Sequence, residues 1–257
     1  MSTVTKSVAD TRTITQRNLW HFIRQPDLLL FSTIQPVMFV LLFVYVFGGA
    51  IGTSLPDGIE YVDYLLPGIL VQSVAFRASQ TAVGLAEDLQ RGVMDRFRSM
   101  PMSRSAVLTG RTLADLVRNT VILVLMLVVG YLVGFSFQNG ILAAALAIGL
   151  ILAFGYALSW VFAAIAFVAK GAEAAQSAGF VAIFPLVFAS SVFVPVDTMP
   201  GWLQGFATYS PVSVTADAAR SLSIGGPAAG AALQSIAWSV GIAAVFGAIA
   251  VWRYDRL

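Results

Sequence analysis

The sequence predicts an all-α integral membrane protein with six transmembrane helices, and its composition and the spacing of its apolar runs carry that prediction. Apolar residues make up 58% of the chain and charged residues only 11%, with a mean hydropathy of +0.83. That balance is far from the average of soluble domains and close to that of polytopic membrane proteins. Since each helical span takes about 20 residues, we predict a single transmembrane domain over residues 1–257.

Six apolar runs follow one another along the chain, each long enough or nearly long enough to cross a bilayer as a helix. They occupy residues 28–48, 64–84, 116–137, 141–169, 177–194 and 233–252. The fourth run is longer than a bilayer requires, which predicts a tilt or a projection into the cytoplasm. The fifth is short and contains Pro185, which predicts a kink or a discontinuity.

Residues 1–27 form a polar, basic leader without the apolar stretch of a cleavable signal peptide. Its apolar residues recur at roughly helical spacing: Ile14, Leu19, Phe22 and Ile23. This pattern predicts an amphipathic helix on the membrane surface, ended by Pro26, with a merely flexible leader as the alternative.

Lys and Arg are distributed unevenly among the segments that join the spans. Twelve of them lie in every second segment, namely 1–27, 85–112, 170–176 and 253–257. The intervening segments hold only Arg220; they are 49–63, 138–140 and 195–232. Because basic residues remain on the cytoplasmic side of a membrane, we predict that both termini are cytoplasmic, in a bacterial cytoplasmic membrane.

The segment 85–112 is the largest polar connection on the predicted cytoplasmic side. Its apolar residues form one helical stripe, made of Leu89, Val93, Phe97 and Met100. We predict an amphipathic helix that ends at Pro101, followed by a second helix that Ser103 caps and that continues into the third span. Charge alone would also fit a basic loop that only enforces topology. Gly92 inside the pattern indicates either a close backbone approach or a helix end.

The order of residues within "AEDLQRGVMDRFRSMPMSRSAVLTGRTLAD" is more specific than its charge. It resembles the cytoplasmic loop of ABC-2 type permeases, most closely those of the daunorubicin/doxorubicin-resistance subfamily. The matching residues are Glu87, Gly92, Asp95 with Arg96, Arg98, Pro101 with Ser103 and Arg104, Gly110 with Arg111, and Ala114 with Asp115. Residues 193–226 more weakly resemble the family's outer segment between the last two spans.

The resemblance implies two permease subunits, as a homodimer or a heterodimer, each contacting a separate ATP-binding subunit through a coupling helix in the loop. The candidate coupling residues are Glu87, Asp88, Arg91, Gly92, Asp95, Arg96, Arg98, Pro101, Arg104 and Arg111. The chain itself has no phosphate-binding Gly-Lys-Ser/Thr loop, since its two lysines follow Thr5 and Ala169. We therefore expect no cofactor on this chain, with ATP and Mg bound by the partner subunit.

Three polar residues within the spans are candidates for a translocation cavity. Arg77 lies inside the second span, where a charge is a functional candidate by default, although its side chain could also reach the membrane interface. Gln35 and Gln72 could line a pathway or form hydrogen bonds between helices. Arg118 is nearer to the interface, where it could extend outward or pair with Asp115.

The outer segment 195–232 contains many apolar residues between its Pro and Gly residues. We predict that it dips back into the membrane as a re-entrant element, with Phe206, Pro211 and Val212 as candidate outer-gate residues. An aromatic belt at the membrane interface is the alternative.

The composition argues against other classes of membrane protein. The chain has no Cys and one His, which excludes a zinc, iron–sulfur or cysteine-nucleophile site within it. No Asp or Glu occurs in the six runs, although ion-coupled transporters place such residues within their spans. An intramembrane enzyme would need a nucleophile–base pair, and His21 and Glu173 do not supply one.

The expected function is therefore that of a permease subunit, not itself an enzyme, in an ATP-binding-cassette exporter. The expected cargo is a hydrophobic or amphipathic compound such as a drug, an antibiotic or a lipid, and the expected surroundings are membrane lipids, with no nucleic acid. Export of a lipid-linked glycan or a glycolipid is the alternative, and ion-coupled transport is a weaker one.

Overall fold

The computed structural model describes residues 3–23, 26–52, 55, 59–94 and 104–256, and all regular structure in these ranges is helical. In chain order the helices are α1 (Thr3–Ile23), α2 (Pro26–Leu42), a π-helical turn (Phe43–Phe47), α3 (Gly48–Gly52), α4 (Tyr61–Gln90), α5 (Arg104–Val133), α6 (Gly140–Ala166), α7 (Ala172–Phe188), a 3₁₀ turn (Val196–Thr198), α8 (Gly201–Tyr209), α9 (Pro211–Ile224) and α10 (Ala228–Asp255).

Helix α4 is the centre of the bundle. It packs against α5, α6, α7 and α9, and its Leu65, Leu66 and Ile69 side chains are fully buried. Helix α10 packs against α6 and α9. Because α4 is enclosed by neighbouring helices, its polar side chains face protein or internal cavities, where they can be satisfied without water.

Four described segments are long and apolar enough to cross a membrane, namely 34–52, 107–133, 140–166 and 228–254. Helix α7 is apolar but shorter, with 17 residues. Helix α4 has 30 residues, about 45 Å at 1.5 Å per residue, and it carries Asp63, Arg77 and Glu87. The chain is thus a multi-pass membrane protein, and the count of six spans stays a prediction.

The connecting segments gather at two opposite ends of the bundle. At one end, the Gln138 amide donates to Asp63 at 3.1 Å and the Gln138 backbone N–H donates to the Ser223 carbonyl at 2.8 Å. These three residues come from the three segments predicted to lie outside. At the other end, Asp88 contacts Arg17 of α1 and Arg111 of α5, all from segments predicted to lie inside. The structure therefore groups the segments as the charge pattern does.

The leader forms a helix, as predicted. This helix packs against the rest of the protein, whereas the prediction placed it on the membrane surface. Helix α1 packs along α5, and Ile14 is only 3% exposed. Helix α1 extends to Ile23 and a new helix, α2, begins at Pro26, which is consistent with the predicted end of the leader helix at this proline. Proline suits the first turn of a helix, where its missing N–H has no partner to lose.

The cytoplasmic helix predicted from Leu89 to Met100 is interrupted near its start. Helix α4 runs from the membrane segment to Gln90 without a break, so Glu87 and Asp88 belong to α4. The chain then turns at Arg91 and Gly92, where Gly92 has φ +66°, a conformation that favours glycine. Of the two readings of Gly92, the helix end is correct.

Part of the loop prediction lies outside the described residues. Asp95, Arg96, Arg98 and Pro101 are in residues 95–103, which the structure does not describe, and so is the proposed cap Ser103. The second helix of the loop is α5, which begins at Arg104 and continues through the third apolar run to Val133.

The outer segment 195–232 is folded into the bundle. Helix α8 is mostly exposed, and Ala207 is its one buried residue, whereas α9 packs against α4, α6 and α10. Helix α10 begins at Ala228, five residues before the predicted run at 233. The fifth apolar run is helical only to Phe188, three residues after Pro185, and the following residues up to Pro195 are not helical. The expected discontinuity near Pro185 is therefore present.

Candidate functional site

A cavity of about 210 Å³ lies between α2, α4 and α7. We call it the central cavity; it is lined by Gln35, Pro36, Phe39, Gln72, Ser73, Phe76, Arg77, Ser79, Gln80, Gln176 and Phe180. The structure thus brings together all three residues that the sequence singled out for a translocation cavity. Gln80, Gln176 and Phe180 are exposed, so the cavity opens to the surface beside α7.

Small residues where α4 and α7 meet bring the two helices close together next to this cavity. A Cβ built on Gly179 of α7 would lie 3.2 Å from the Ser79 Cβ and 3.6 Å from the Phe162 ring. This tight approach holds the α7 side chains Gln176 and Phe180 near the α4 wall.

The Arg77 side chain is oriented by a hydrogen bond to α5. Its Nε donates a hydrogen bond of 3.1 Å to the Asn119 Oδ1, and Asn119 is only 3% exposed. This hydrogen bond directs the guanidinium to the cavity wall, whereas a side chain reaching for the membrane interface would extend along α4.

A second polar layer lies one helical turn toward the end of the bundle that is predicted to be cytoplasmic. The Thr81 hydroxyl donates to the Asp115 carboxylate at 2.7 Å, and Arg118 pairs with the same carboxylate at 3.3 Å. Of the two roles considered for Arg118, pairing with Asp115 is the one observed. Buried ion pairs of this kind persist when hydrogen bonds satisfy the remaining lone pairs.

A second cavity, of about 590 Å³, lies between α6, α7 and α10. Its walls are mostly apolar, and its two basic residues are Lys170 and Arg253. Both side chains are exposed at the end of the bundle that holds the chain terminus. Sequence reasoning did not predict this cavity, because its lining residues come from three helices and from the segment between two of them.

The two ends of the loop 85–112 are tied together by an ion pair. The Arg111 Nη1 lies 2.5 Å from the Asp88 Oδ2, and the Arg17 Nη2 of α1 lies 3.7 Å from the other carboxylate oxygen. We call Asp88 and Arg111 the neck pair. Glu87 and Arg91 form a separate pair at 3.5 Å with exposed side chains. The described coupling candidates therefore fall into a partly buried neck and an exposed surface.

Gly110 explains why a glycine precedes Arg111 in the loop motif. A Cβ at this position would lie 2.7 Å from the Ile14 Cβ and 2.9 Å from the Thr11 carbonyl oxygen of α1. The Thr15 hydroxyl also donates to the Gly110 carbonyl at 3.1 Å. Only a residue without a side chain permits so close a contact between α1 and α5.

The end of the bundle that is predicted to lie outside contains a buried arginine that sequence reasoning missed. Arg220 of α9 is 5% exposed and donates hydrogen bonds to the carbonyls of Tyr64 at 2.7 Å, Ser191 at 2.5 Å and Val192 at 2.9 Å. It also pairs with Asp217 at 2.6 Å and stacks 3.8 Å above the Tyr64 ring. We call these five residues the outer clamp.

The outer clamp satisfies backbone groups that no helix can satisfy. Ser191 and Val192 lie in the non-helical stretch after α7 and are fully buried, and an unpaired carbonyl at such depth is costly. The Tyr64 hydroxyl donates to the Ser191 carbonyl at 3.0 Å, and the Tyr61 hydroxyl to the Phe193 carbonyl at 3.1 Å. The spacing of Asp217 and Arg220 within an apolar segment was the available signal.

The three candidate outer-gate residues occupy different environments. Val212 is fully buried on α9, and Pro211 is the first residue of that helix. Phe206 is on α8 and is 50% exposed. Val212 is thus a core residue of α9, whereas Phe206 is a surface residue.

Comparison with known proteins agrees with this architecture. The family model for ABC-2 type transporters matches residues 9–223, most of the chain. The chain belongs to the ABC-2 type transporter family. The match includes most of α1, the neck pair and the outer clamp, and it confirms the resemblance found in the loop.

Individual ABC-2 relatives span nearly the whole chain. A daunorubicin resistance ABC transporter permease protein of Streptomyces coeruleorubidus is 34% identical over 96% of this chain and 87% of its own length. A probable doxorubicin resistance ABC transporter permease protein of Mycobacterium tuberculosis is 26% identical over 93% of this chain and 85% of its own. A putative transport permease of Porphyra purpurea is 23% identical over 83% and 73%. The chain is accordingly a membrane permease subunit of an ABC transporter.

Proposed function

We propose that this permease subunit exports hydrophobic or amphipathic compounds, such as a drug, an antibiotic or a lipid, with energy from ATP that a separate subunit binds with Mg and hydrolyses. The observation that carries the proposal is the central cavity, which opens beside α7 and combines amide, hydroxyl and aromatic side chains. Cavities of mixed lining suit amphipathic molecules. The drug-resistance names of two relatives point to the same class of cargo.

The proposal is tested by reconstitution. The chain and its ATP-binding subunit are inserted into vesicles, and ATP-dependent movement of a fluorescent hydrophobic compound is followed. We expect transport with the active subunit and none with a hydrolysis-deficient one. Equal movement in both preparations, or movement driven by an ion gradient without ATP, would contradict the proposal.

Coupling is proposed to occur at the exposed surface beyond the neck pair. The exposed Glu87 lies on the last turn of α4, and its exposed partner Arg91 follows the helix end at Gln90. Both precede residues 95–103, which contain Asp95 and Arg98 and lie outside the described residues. Nucleotide-driven motion of the partner would move α4 and α5 together, because the neck pair joins them. Differential contact between two states is what links the two subunits.

The coupling assignment is tested by charge removal. We expect Glu87→Ala, or Asp95→Ala combined with Arg98→Ala, to insert normally but to weaken assembly or to separate ATP turnover from transport. Exposed pairs contribute roughly 0.2–1 kcal/mol, and pairs desolvated at an interface several times more. Glu60→Ala, at the opposite end of α4, is the control. Unchanged assembly, turnover and transport in the Asp95/Arg98 double variant would remove the assignment.

The assembly is proposed to contain two permease subunits, either identical or different, together with the ATP-binding subunits. Support comes from a row of exposed apolar side chains along α5, namely Val117, Val121, Val124, Val128 and Leu132. Such a face must meet either lipid or another subunit. Cross-linking of the assembled complex in native membranes, with a second copy or a different permease as the product, distinguishes the two forms of the dimer.

A further inference from the structure

The central cavity carries a positive charge that its described lining does not neutralise. Arg77 is the one charged residue among the described residues of the lining, and Glu173 of α7 is not among them. On the adjacent turn of α5, the Asp115 carboxylate is already engaged by Arg118 and by the Thr81 hydroxyl. Arg77, Arg118 and Asp115 together leave one net positive charge at the cavity wall.

The part of Arg77 that points away from α5 remains available to a ligand. Its Nε is used by Asn119, and its two terminal nitrogens make no hydrogen bond to a described residue. Those nitrogens form a planar fork that matches the two oxygens of a carboxylate or a phosphate. At a partly buried position such a charge favours a partner of opposite sign.

Gln72 supplies a second recognition group. It is 3% exposed and lines the same cavity, yet its Oε1 has no hydrogen-bond partner within the described part of the chain. A buried amide oxygen without a partner is destabilising, and a hydroxyl or N–H on a bound molecule would satisfy it. A bound ligand would therefore supply the hydrogen bond that the Gln72 amide oxygen lacks.

The remaining walls suit an apolar body. Phe39, Phe76 and Phe180 line the cavity from α2, α4 and α7, and aromatic faces bind rings and acyl chains alike. We propose that the central cavity recognises an anionic amphiphile, with its carboxylate or phosphate on Arg77, a hydrogen-bond donor on Gln72 and its apolar body against the three phenylalanines. This inference rests on the proposed function only in taking the cavity to hold cargo.

A thiol-protection assay tests the charge preference directly. The chain has no cysteine, so Gln176→Cys places a single thiol at the exposed edge of the cavity. Ser177→Cys, the matched control, places one on the next residue, which is exposed and does not line the cavity. The full chain, purified with its ATP-binding subunit in neutral detergent, is labelled with N-ethylmaleimide in the presence of dodecanoate, dodecanol or dodecylamine.

The three probes have a similar alkyl chain and differ in the charge of their head group. We expect dodecanoate to protect the Gln176→Cys thiol at a concentration about tenfold lower than dodecylamine, with dodecanol between them, and no such order at Ser177→Cys. Equal or better protection by dodecylamine would overturn the proposal. The same order at both thiols would also overturn it, because it would reflect adsorption to the detergent micelle.

Charge variants assign the effect to Arg77. In the Gln176→Cys background, Arg77→Gln should abolish the preference for dodecanoate, Arg77→Lys should keep most of it, and Arg253→Gln in the second cavity should leave it unchanged. A preference that survives Arg77→Gln would contradict the assignment. If Arg77→Gln does not fold, Arg77→Lys and the comparison of probes in the unaltered cavity still decide the question.

A further experiment with phospholipids distinguishes two possible sources of the anionic head group. Phosphatidylglycerol and phosphatidylcholine are compared as protecting agents at equal content in the micelle. Protection by phosphatidylglycerol at dodecanoate-like potency assigns the site to a membrane lipid, and protection by dodecanoate alone assigns it to a free acid. Transport of a neutral fluorescent compound measures the proposed function separately, so a cavity without charge preference would leave that function standing.

Discussion

Arg220 acts as a substitute for helical hydrogen bonds at the outer end of the bundle. The stretch after α7 is buried without being helical, and its carbonyls at Ser191 and Val192 are satisfied by one guanidinium. Gly68 of α4 permits this arrangement, because a Cβ there would lie 2.5 Å from the Val192 oxygen and 2.8 Å from the Arg220 Nη2. A single side chain thus holds together α4, α9 and the non-helical stretch that follows α7.

Replacing Arg220 should destabilise the protein strongly. We expect Arg220→Gln to lower the free energy of unfolding by about 3–5 kcal/mol, because buried carbonyls and the Asp217 carboxylate lose their partner. This corresponds to a fall of roughly 10 °C in the melting temperature, measured by fluorescence-detected size exclusion in detergent. Arg220→Lys should recover only part of the loss, since it lacks the planar fork.

The exposed Arg91 serves as the control for charge removal. Its side chain is 69% exposed and it pairs with Glu87 across one turn, so Arg91→Gln should change stability by no more than about 0.5 kcal/mol. A melting temperature of Arg220→Gln equal to that of Arg91→Gln would show that the outer clamp contributes little.

The sequence predicted the central cavity better than the outer clamp, and the reason is physical. A polar residue within a long apolar run, such as Arg77 or Gln72, is expensive in lipid and therefore signals an interior position. Arg220 lies in a segment with Pro, Gly and Ser residues, where a charge could equally be solvated. Its burial depends on distant carbonyls that a linear pattern cannot reveal.

At the level of elements, α1 is joined to α5 through a close contact at one glycine. The contact between Gly110 and Ile14 places the leader against the helix that begins the third span. The same α1 supplies Arg17 to the Asp88 carboxylate. A movement of the loop must therefore involve α1 as well as α4 and α5.

A methyl group at Gly110 should disturb this contact. We expect Gly110→Ala to destabilise the docking of α1 by about 1–3 kcal/mol, because the added carbon has no room beside Ile14. Limited proteolysis within residues 3–23 should become faster. Gly149→Ala on α6, where an added Cβ would meet no side chain and no other element within 4 Å, should instead be neutral or stabilising by up to about 1 kcal/mol. Unchanged proteolysis of Gly110→Ala would contradict the described packing.

The neck pair can be examined with a double-mutant cycle. We expect Asp88→Asn and Arg111→Gln each to reduce transport per ATP hydrolysed, and the double variant to lose less than the sum of the two. The interaction free energy, from thermal unfolding of the four proteins, should be roughly 0.5–3 kcal/mol because the pair is mostly shielded from solvent.

The exposed pair Glu87 and Arg91 provides the comparison cycle. Its interaction free energy should be only about 0.3–0.5 kcal/mol, the usual value for a helical pair in solvent. Strict additivity of Asp88→Asn and Arg111→Gln would mean that the two ends of the loop are not held together by this contact.

Element types were predictable, and two of the helix ends were predicted only in part. The apolar runs and the helical spacing of apolar residues predicted a helix wherever the described part of the chain has a long helix. The stripe from Leu89 to Met100 looked continuous because glycine does not interrupt a hydrophobic pattern, yet Gly92 turns the chain. The early end of α7 follows from Pro185 together with the outer clamp. The outer clamp depends on tertiary contacts, which the sequence pattern does not show.

For the whole molecule, the grouping of connections at two ends agrees with the distribution of basic residues. We expect tags at residue 1 and residue 257 to be cytoplasmic and Asp57→Cys to be labelled from outside, because twelve basic residues lie in the segments predicted to be inside. A membrane-impermeant maleimide applied to intact cells measures this. Labelling of Asp57→Cys only after permeabilisation would contradict the six-span topology.

The bonds of the outer clamp converge on a single guanidinium, and this affects the timing of its opening. Five hydrogen bonds and one ring contact depend on Arg220, so a partial withdrawal would strand carbonyls in apolar surroundings at higher free energy than either end state. We expect the outer end to dwell in one conformation and then change abruptly, as a cooperative step with its own waiting time. Single-molecule distances across this end should jump between two values, and a gradual drift would contradict this expectation.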